Sequence, residues 1–270
     1  MSWLILLMSV VAGLVGAMTS TGGGLILIPA LTLCGVDIKQ AIAVSSLSII
    51  VVSNTAASRY VKRHLPNLKV NAYLQVFAVA GSLIGAALIV ASGRRLLFFV
   101  CGGILLIAGM ILWWRRMEPW RDAAQQDACS RWLELAGSYY DAAEKRTIAY
   151  RARRAILGGV LMFGAGVGVG SSGLSVLIHN AVLGLPPKVS VTTSHLIMGV
   201  MALAGVSVYL RAGLIDPHLA TSVIVGALLG ALLGSKLLID VTNQVAYRLF
   251  LAALILLGLQ LVIRGYVGAV

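Results

Sequence analysis

The sequence is poor in negative charge. Of its 270 residues nine are Asp or Glu, against 21 Lys or Arg. The nine carboxylates are Asp37, Glu118, Asp122, Asp127, Glu134, Asp141, Glu144, Asp216 and Asp240, and each lies outside the long apolar runs or at their ends. Cation pumps and proton-driven cation carriers place acidic groups within their spans, so this distribution argues against a cation pathway and for neutral or negative ligands. Charged residues of both signs make up only 11%, against about 25% in soluble domains. Cysteine is scarce and scattered, at Cys34, Cys101 and Cys129, which argues against a disulfide framework and a metal site. The chain has no G-x-x-x-x-G-K-[ST] loop for ATP, and no cofactor or metal is expected. No charged n-region with a short apolar core and cleavage site opens it, so no cleaved signal peptide is expected.

What remains is apolar. The chain is 59% hydrophobic with mean hydropathy +0.96. Uncharged runs at 70–91 and 96–114 approach the ~20 residues of a membrane-spanning helix. Apolar segments fall at 2–18, 25–35, 38–61, 70–91, 96–114, 155–170, 173–184, 188–210, 218–238 and 245–263. This is an all-α polytopic membrane protein by expectation, with membrane lipids as its surroundings. The net charge of +12 belongs to loops on the cytoplasmic side, and no separate basic module suggests nucleic acid.

One polar stretch, 115–154, divides the sequence and reads as a cytoplasmic linker between a first membrane repeat, 1–114, and a second, 155–270. It has room for an amphipathic helix around Cys129–Tyr140, but its length and composition suit a linker. The two halves are related. A shift of 149 places Gly24 on Gly173, Gly35 on Gly184, Lys39 on Lys188, Ser45 on Ser194, Tyr60 on Tyr209, Gly81 on Gly230 and Gly85 on Gly234, without a gap. Internal repeats of this kind build many secondary transporters.

Each half opens on a broken segment. In the first, Thr19, Ser20 and Thr21 precede Gly22, Gly23 and Gly24; in the second, Gly170, Ser171, Ser172 and Gly173 hold the matching place. The pieces on either side are short for full crossings. Either each segment enters and leaves on one side, which makes the halves inverted repeats with three further transmembrane helices each, or it crosses once as a discontinuous helix. Counting Lys and Arg on the two sides does not separate these readings. Irregular backbone in a membrane must be buried in protein or line a wet cavity. A helix restarting after glycine presents N–H groups and a positive dipole end, which suits an anion. The breaks therefore stand as a candidate substrate site. Ser45 and Asn54 on the next helix of the first half, with Ser194 and His195 of the second, add polar groups. Ser48, Thr55 and Arg59 fall near the same face as Ser45. His195 is an intramembrane ionisable group, a functional candidate by default; His179 is a weaker one. Lys39 and Lys188 suit interfacial anchoring or anion attraction. The small residues Gly81, Gly85, Gly226, Gly230 and Gly234 read as helix-packing faces.

The stretches "GLVGAMTSTGGGLILIPAL" (13–31) and "GAGVGVGSSGLSVLIHNAVLGLPPKVSVTTSH" (164–195), with the two-half layout, resemble the sulfite exporter TauE/SafE family of membrane permeases. The resemblance implies a secondary transporter of sulfite, sulfonates or related small organic anions in the inner membrane. By position it carries the anion role to Thr21, Gly22, Gly23 and Gly24, and to Ser171, Ser172 and Gly173. The second copy departs from the pattern, with Ile178 where the first has Pro29. A homodimer is compatible with the sequence. An anion channel is the alternative. "GSSG" (170–173) also resembles the G-x-S-G of rhomboid proteases, with Ser172 as nucleophile, but four small residues in a glycine-rich chain are a weak signal, and an enzyme is not expected.

Overall fold

The computed structural model describes residues 2–19, 21–115, 127–141, 146–167, 172–240 and seven scattered positions between 255 and 266. The first half holds α1 (Ser2–Thr19), α2 (Gly24–Leu33), α3 (Ile38–Lys62), α4 (Leu68–Ala91) and α5 (Arg94–Arg115). The linker gives a short α6 (Ala128–Trp132) and strands β1 (Ala136–Asp141) and β2 (Arg146–Arg151). The second half holds α7 (Ala155–Val167), α8 (Ser172–Leu177) running into a π-helical turn (Ile178–Val182), α9 (Pro187–Arg211) and α10 (Pro217–Asp240). The last apolar segment, 245–263, falls mostly outside the described residues.

Among the described residues, four helices are long and apolar enough to cross a membrane: Ile38–Lys62, Leu68–Ala91, Lys188–Arg211 and Pro217–Leu237. Their starts are chemically marked. The Asp37 carboxylate accepts from the Lys39 amide ahead of α3, and the Asn67 side chain accepts from Val70 N ahead of α4, each satisfying a helix-start donor. Pro occupies the first position of α9 and of α10, where its missing N–H costs nothing.

Burial separates inner from outer helices. The apolar windows of α3 and α9 are 67% and 72% buried, those of α4 and α10 only 39% and 44%. The exposed apolar side chains of α4 (Val76, Leu83, Ile84, Leu88) and of α10 (Val225, Leu228, Leu229, Leu233) suit contact with lipid tails. α3 packs along α9 at the centre; α4 packs on α9, and α10 on α3. The outer pairings are crossed between halves: α1 lies on α10, and α7 lies on α4.

Backbones in these crossed pairs approach closely because glycine leaves room. A β-carbon built on Gly230 would fall 2.0 Å from the Val10 carbonyl oxygen, and one on Gly81 would fall 2.2 Å from that of Phe163. Gly234 meets the Leu14 carbonyl as Gly85 meets that of Val167, and Gly13 meets Ala227 as Gly166 meets Ala78. Exchanging the halves therefore maps one set of contacts onto the other. It also corrects the gapless alignment. The later helices correspond at 149, but Val10 answers to Phe163 and Leu14 to Val167, a spacing of 153. The second half is therefore four residues shorter between its first helix and its later ones; α1 runs to Thr19, five residues past Leu14, whereas α7 ends at Val167, the counterpart of Leu14.

Directions follow from contacts at the ends. The start of α3 sits by the end of α4: Lys39 Nζ donates to Val90 O at 2.7 Å, and Asp37 pairs with Arg94 at 2.6 Å. The start of α9 sits at the other end, where Thr193 Oγ1 accepts from Asn67 N at 3.0 Å. Tyr209, near the end of α9, clusters with Ile38 and Ile42 at the start of α3. α3 and α9 thus run in opposite directions.

The linker departs from expectation. Residues 129–140 do not form one amphipathic helix. After the five-residue α6, the antiparallel pair β1–β2 matches Ala136 with Arg151 through Asp141 with Arg146, so the fold is not purely helical. Alternation explains it: Tyr139, Ile148 and Tyr150 face the core while Ser138, Thr147 and Ala149 are exposed, the period of a half-buried strand. Asn67 Nδ2 donates to Tyr150 Oη at 3.2 Å, and Lys69 pairs with Glu134 at 2.5 Å, seating the linker at the start of α4.

Candidate functional site

The first break turns the chain back. Gly22 and Gly23 have φ of +60° and +76°, a left-handed conformation open to glycine at no steric cost. A β-carbon on Gly16 would fall 2.1 Å from Gly23 N, and one on Gly23 would fall 2.8 Å from Ala12 O. In a continuous helix residues 12 and 23 would lie about 16 Å apart. Here α2 doubles back on α1, and Leu27 and Leu31 cluster with Ile5 and Ala12. The α2 amides start from Gly23, whose carbonyl accepts from both Ile26 N and Leu27 N. The amides just before these have no acceptor inside the helix. The turn is buried against α3: Ser48 Oγ donates to Gly22 O at 3.1 Å, and Ile49 fills the space beside Gly22 and Gly24.

The segment from α7 to the π-helical turn also brings its two ends together. Arg153 N donates to Leu183 O at 3.0 Å, joining the chain two residues before α7 to the residue after the π-helical turn. The wide turn lets Leu183 N reach Ile178 O, and Leu185 N reaches His179 O.

Thr21 is buried, its amide donating to Gly16 O. Ser45 is buried beneath Gly24, but its hydroxyl donates to Ile42 O of its own helix at 2.9 Å. Asn54 lies across from α9, where a β-carbon on Gly199 would fall 2.7 Å from Asn54 Oδ1. Ser20, Gly170 and Ser171 lie outside the described residues, as do the side chains of Thr19 and Ser172; Ser172 and Gly173 open α8. Arg59 is not on the site: Nη1 donates to Leu232 O at 2.6 Å and Ser235 Oγ at 2.8 Å, tying α3 to α10. Lys39 is held on the Val90 carbonyl in the last turn of α4, where a cation complements the dipole.

Two buried histidines organise the second half's side. His195 Nε2 lies 3.0 Å from Ala17 O. A carbonyl only accepts, so Nε2 carries the proton and Nδ1 is a bare acceptor, buried with no hydrogen-bond partner. Tyr60 Oη donates to the same carbonyl at 3.2 Å, and its ring lies 5.6 Å from the imidazole. His179 Nδ1 lies 2.6 Å from Ser175 O and 3.0 Å from Ser194 Oγ, leaving its Nε2 buried and unpartnered. His179 was weakly weighted from sequence, and Tyr60 and Ser48 were not put in the site. Ser48, one helical turn from Ser45, was the legible signal.

The sequence matches the sulfite exporter TauE/SafE family over residues 5–261. The chain belongs to that family. It is also 25% identical to the probable membrane transporter protein YunE of Bacillus subtilis (strain 168), over 276 residues covering 98% of this chain and 99% of that protein. No solved structure matches the chain. As a TauE/SafE protein it is a membrane transporter, and its long apolar helices are the membrane part. The family spans both breaks and both histidines.

Proposed function

We propose that this chain is a secondary transporter that moves small organic or sulfur oxyanions, such as sulfite or sulfonates, across the inner membrane by alternating access. The substrate sits at the two Gly/Ser-rich breaks. The observation that carries this is the buried left-handed turn at Gly22–Gly23, which aims the start of α2 into the protein on a segment where no carboxylate competes. Fixed amide dipoles in a low-dielectric setting bind anions without needing a cation.

The halves, 1–114 and 155–270, act in this proposal as inverted repeats, and their broken segments as re-entrant hairpins. The Arg153–Leu183 bond, the fold-back of Gly23 on Ala12 and the opposed directions of α3 and α9 support that arrangement. Linker 115–154 lies on the cytoplasmic side, in keeping with the Lys and Arg gathered there. Access alternates as one half moves against the other.

Counterflow of labelled sulfoacetate into liposomes tests the proposal, with sulfite, sulfate, taurine and acetate as competitors. Saturable counterflow in the wild type, lost in Gly23→Leu, supports a carrier with its site at the first break. Anion flux without saturation or counterflow points to a channel instead.

A further inference from the structure

The anion site proposed above leaves a charge problem that His195 solves. No Asp or Glu lies in α1, α2, α3, α4, α8, the π-helical turn or α9. A proton on His195 Nδ1 would make a buried imidazolium with no carboxylate among these elements, and an unpaired buried charge is costly. An anion arriving alone at the breaks meets the converse problem. The two charges solve each other.

The surroundings narrow the choice of group. Among the described residues of α1, Ala17 meets His195 through its carbonyl. α3 presents Tyr60, with Arg59 next to it but drawn off to Leu232 O and Ser235 Oγ on α10. On α4 the ionisable residues are Tyr73, which donates to Ala155 O, and Lys69, which is paired with Glu134 outside the span. α4 otherwise offers the amides Asn71 and Gln75, with Asn67 capping its start. The π-helical turn brings His179, held by Ser175 and Ser194 within its own half. α9 itself carries Lys188, Tyr209 and Arg211 towards its ends, and α8 has no ionisable side chain. Among the described residues the buried ring nitrogens without a partner are His179 Nε2 and His195 Nδ1. Only His195 bridges the halves, from α9 to the last turn of α1, and that turn is built into the first break through Gly16 and Gly23.

We infer that His195 takes up one proton as the anion binds, so that a proton and an anion occupy the site together. This rests on the placement of the anion at the breaks. The proton is given up by the buffer acid in bulk solution, whose conjugate base stays there; it is relayed through water admitted with the anion and bonds to Nδ1, while Nε2–H keeps its bond to Ala17 O. A monovalent anion is then carried without net charge.

Isothermal titration in detergent, repeated in buffers of different ionisation enthalpy, reads the protons taken up per anion. Sulfoacetate and methanesulfonate are the probes, because the sulfonate keeps its charge throughout pH 5.5–8. The wild type is expected to take up close to one proton and to bind up to about tenfold tighter per unit fall in pH. His195→Gln, whose amide N–H can still reach Ala17 O, is expected to bind more weakly, without uptake and without pH dependence. His179→Gln is expected to keep the uptake. Binding without uptake in the wild type overturns the inference and leaves the anion site standing. Uptake that survives His195→Gln and disappears in His179→Gln overturns it in favour of His179. If folded wild type binds neither probe, the anion site falls and the coupling falls with it. A thermal melt of each variant separates misfolding from lost coupling. Should His195→Gln fail to fold, His195→Asn gives the same reading.

Discussion

Gly230 and Val10 come so close that a β-carbon on the glycine would sit 2.0 Å from the valine's carbonyl oxygen. The neighbour is backbone, so it cannot swing aside as a flexible side chain would. Gly230→Val should therefore push α1 off α10. Overpacking of this kind costs about 1–3 kcal/mol or more. Gly81→Val should cost a similar amount, because the Phe163 carbonyl lies as near. Melting temperatures in detergent, followed by intrinsic fluorescence, check both. Gly103, with open space around it, is the control position, and Ala there should leave the melt nearly unchanged.

Gly23 and Gly35 share a left-handed backbone but not a neighbourhood. A β-carbon on Gly23 strikes Ala12, whereas one on Gly35 meets nothing within 4 Å. Gly35→Ala should cost only the backbone strain, about 1 kcal/mol, and keep counterflow near wild type. Gly23→Ala should lower counterflow at least tenfold. Equal losses in the two variants would mean that strain, rather than the shape of the turn, sets the effect.

Arg59 holds α10 through one backbone carbonyl and one hydroxyl. Arg59→Ala should destabilise the protein by about 2 kcal/mol, since hydrogen bonds from charged groups run about 1.5–3 kcal/mol. Ser235→Ala should cost less, because the Leu232 carbonyl remains. In the double variant the losses should fall short of additive, the sign of a shared contact. Chemical denaturation in mixed micelles reads all three.

Glu134 titrates below the ordinary glutamate range because Lys69 donates to it and lies beside it. A carboxylate held down in this way favours the docked linker at pH above its free value of 4.5, and the effect is lost as pH falls through the folded value. Limited proteolysis of the linker should accordingly accelerate at acid pH and stay flat between pH 6 and 8. Glu134→Gln should remove the acid-dependent part. Salt should weaken the pair, since both side chains are exposed.

The helices were legible because their residues carry strong signals. The run from Ile38 to Lys62 is apolar, capped by Asp37 and closed by basic residues, and the helix follows those limits. Gly22 and Gly23 were legible as a break because nothing else puts six helix-averse residues in mid-segment. The strand pair was not, because its strands are six residues each, and the alternation around Ile148 and Tyr150 is too short to stand out until the partner strand is known. The four-residue change of offset between the halves was hidden as well. Gly81 and Gly230 match by letter at 149, but the carbonyls they meet, of Phe163 and Val10, stand 153 apart, and that is a contact between halves. His195 was visible as an unusual residue. That it holds the end of α1 was not, since Ala17 lies 178 residues away.

The crossed pairing of outer helices bears on how the chain is made. α4 leaves the ribosome well before α7, its groove of Gly81 and Gly85 uncovered, and α1 waits longer still for α10. Neither half completes its own surface during synthesis. Insertion must hold early helices in a laterally accessible state until late ones arrive, and two halves expressed as separate polypeptides should accumulate only when made in the same cell.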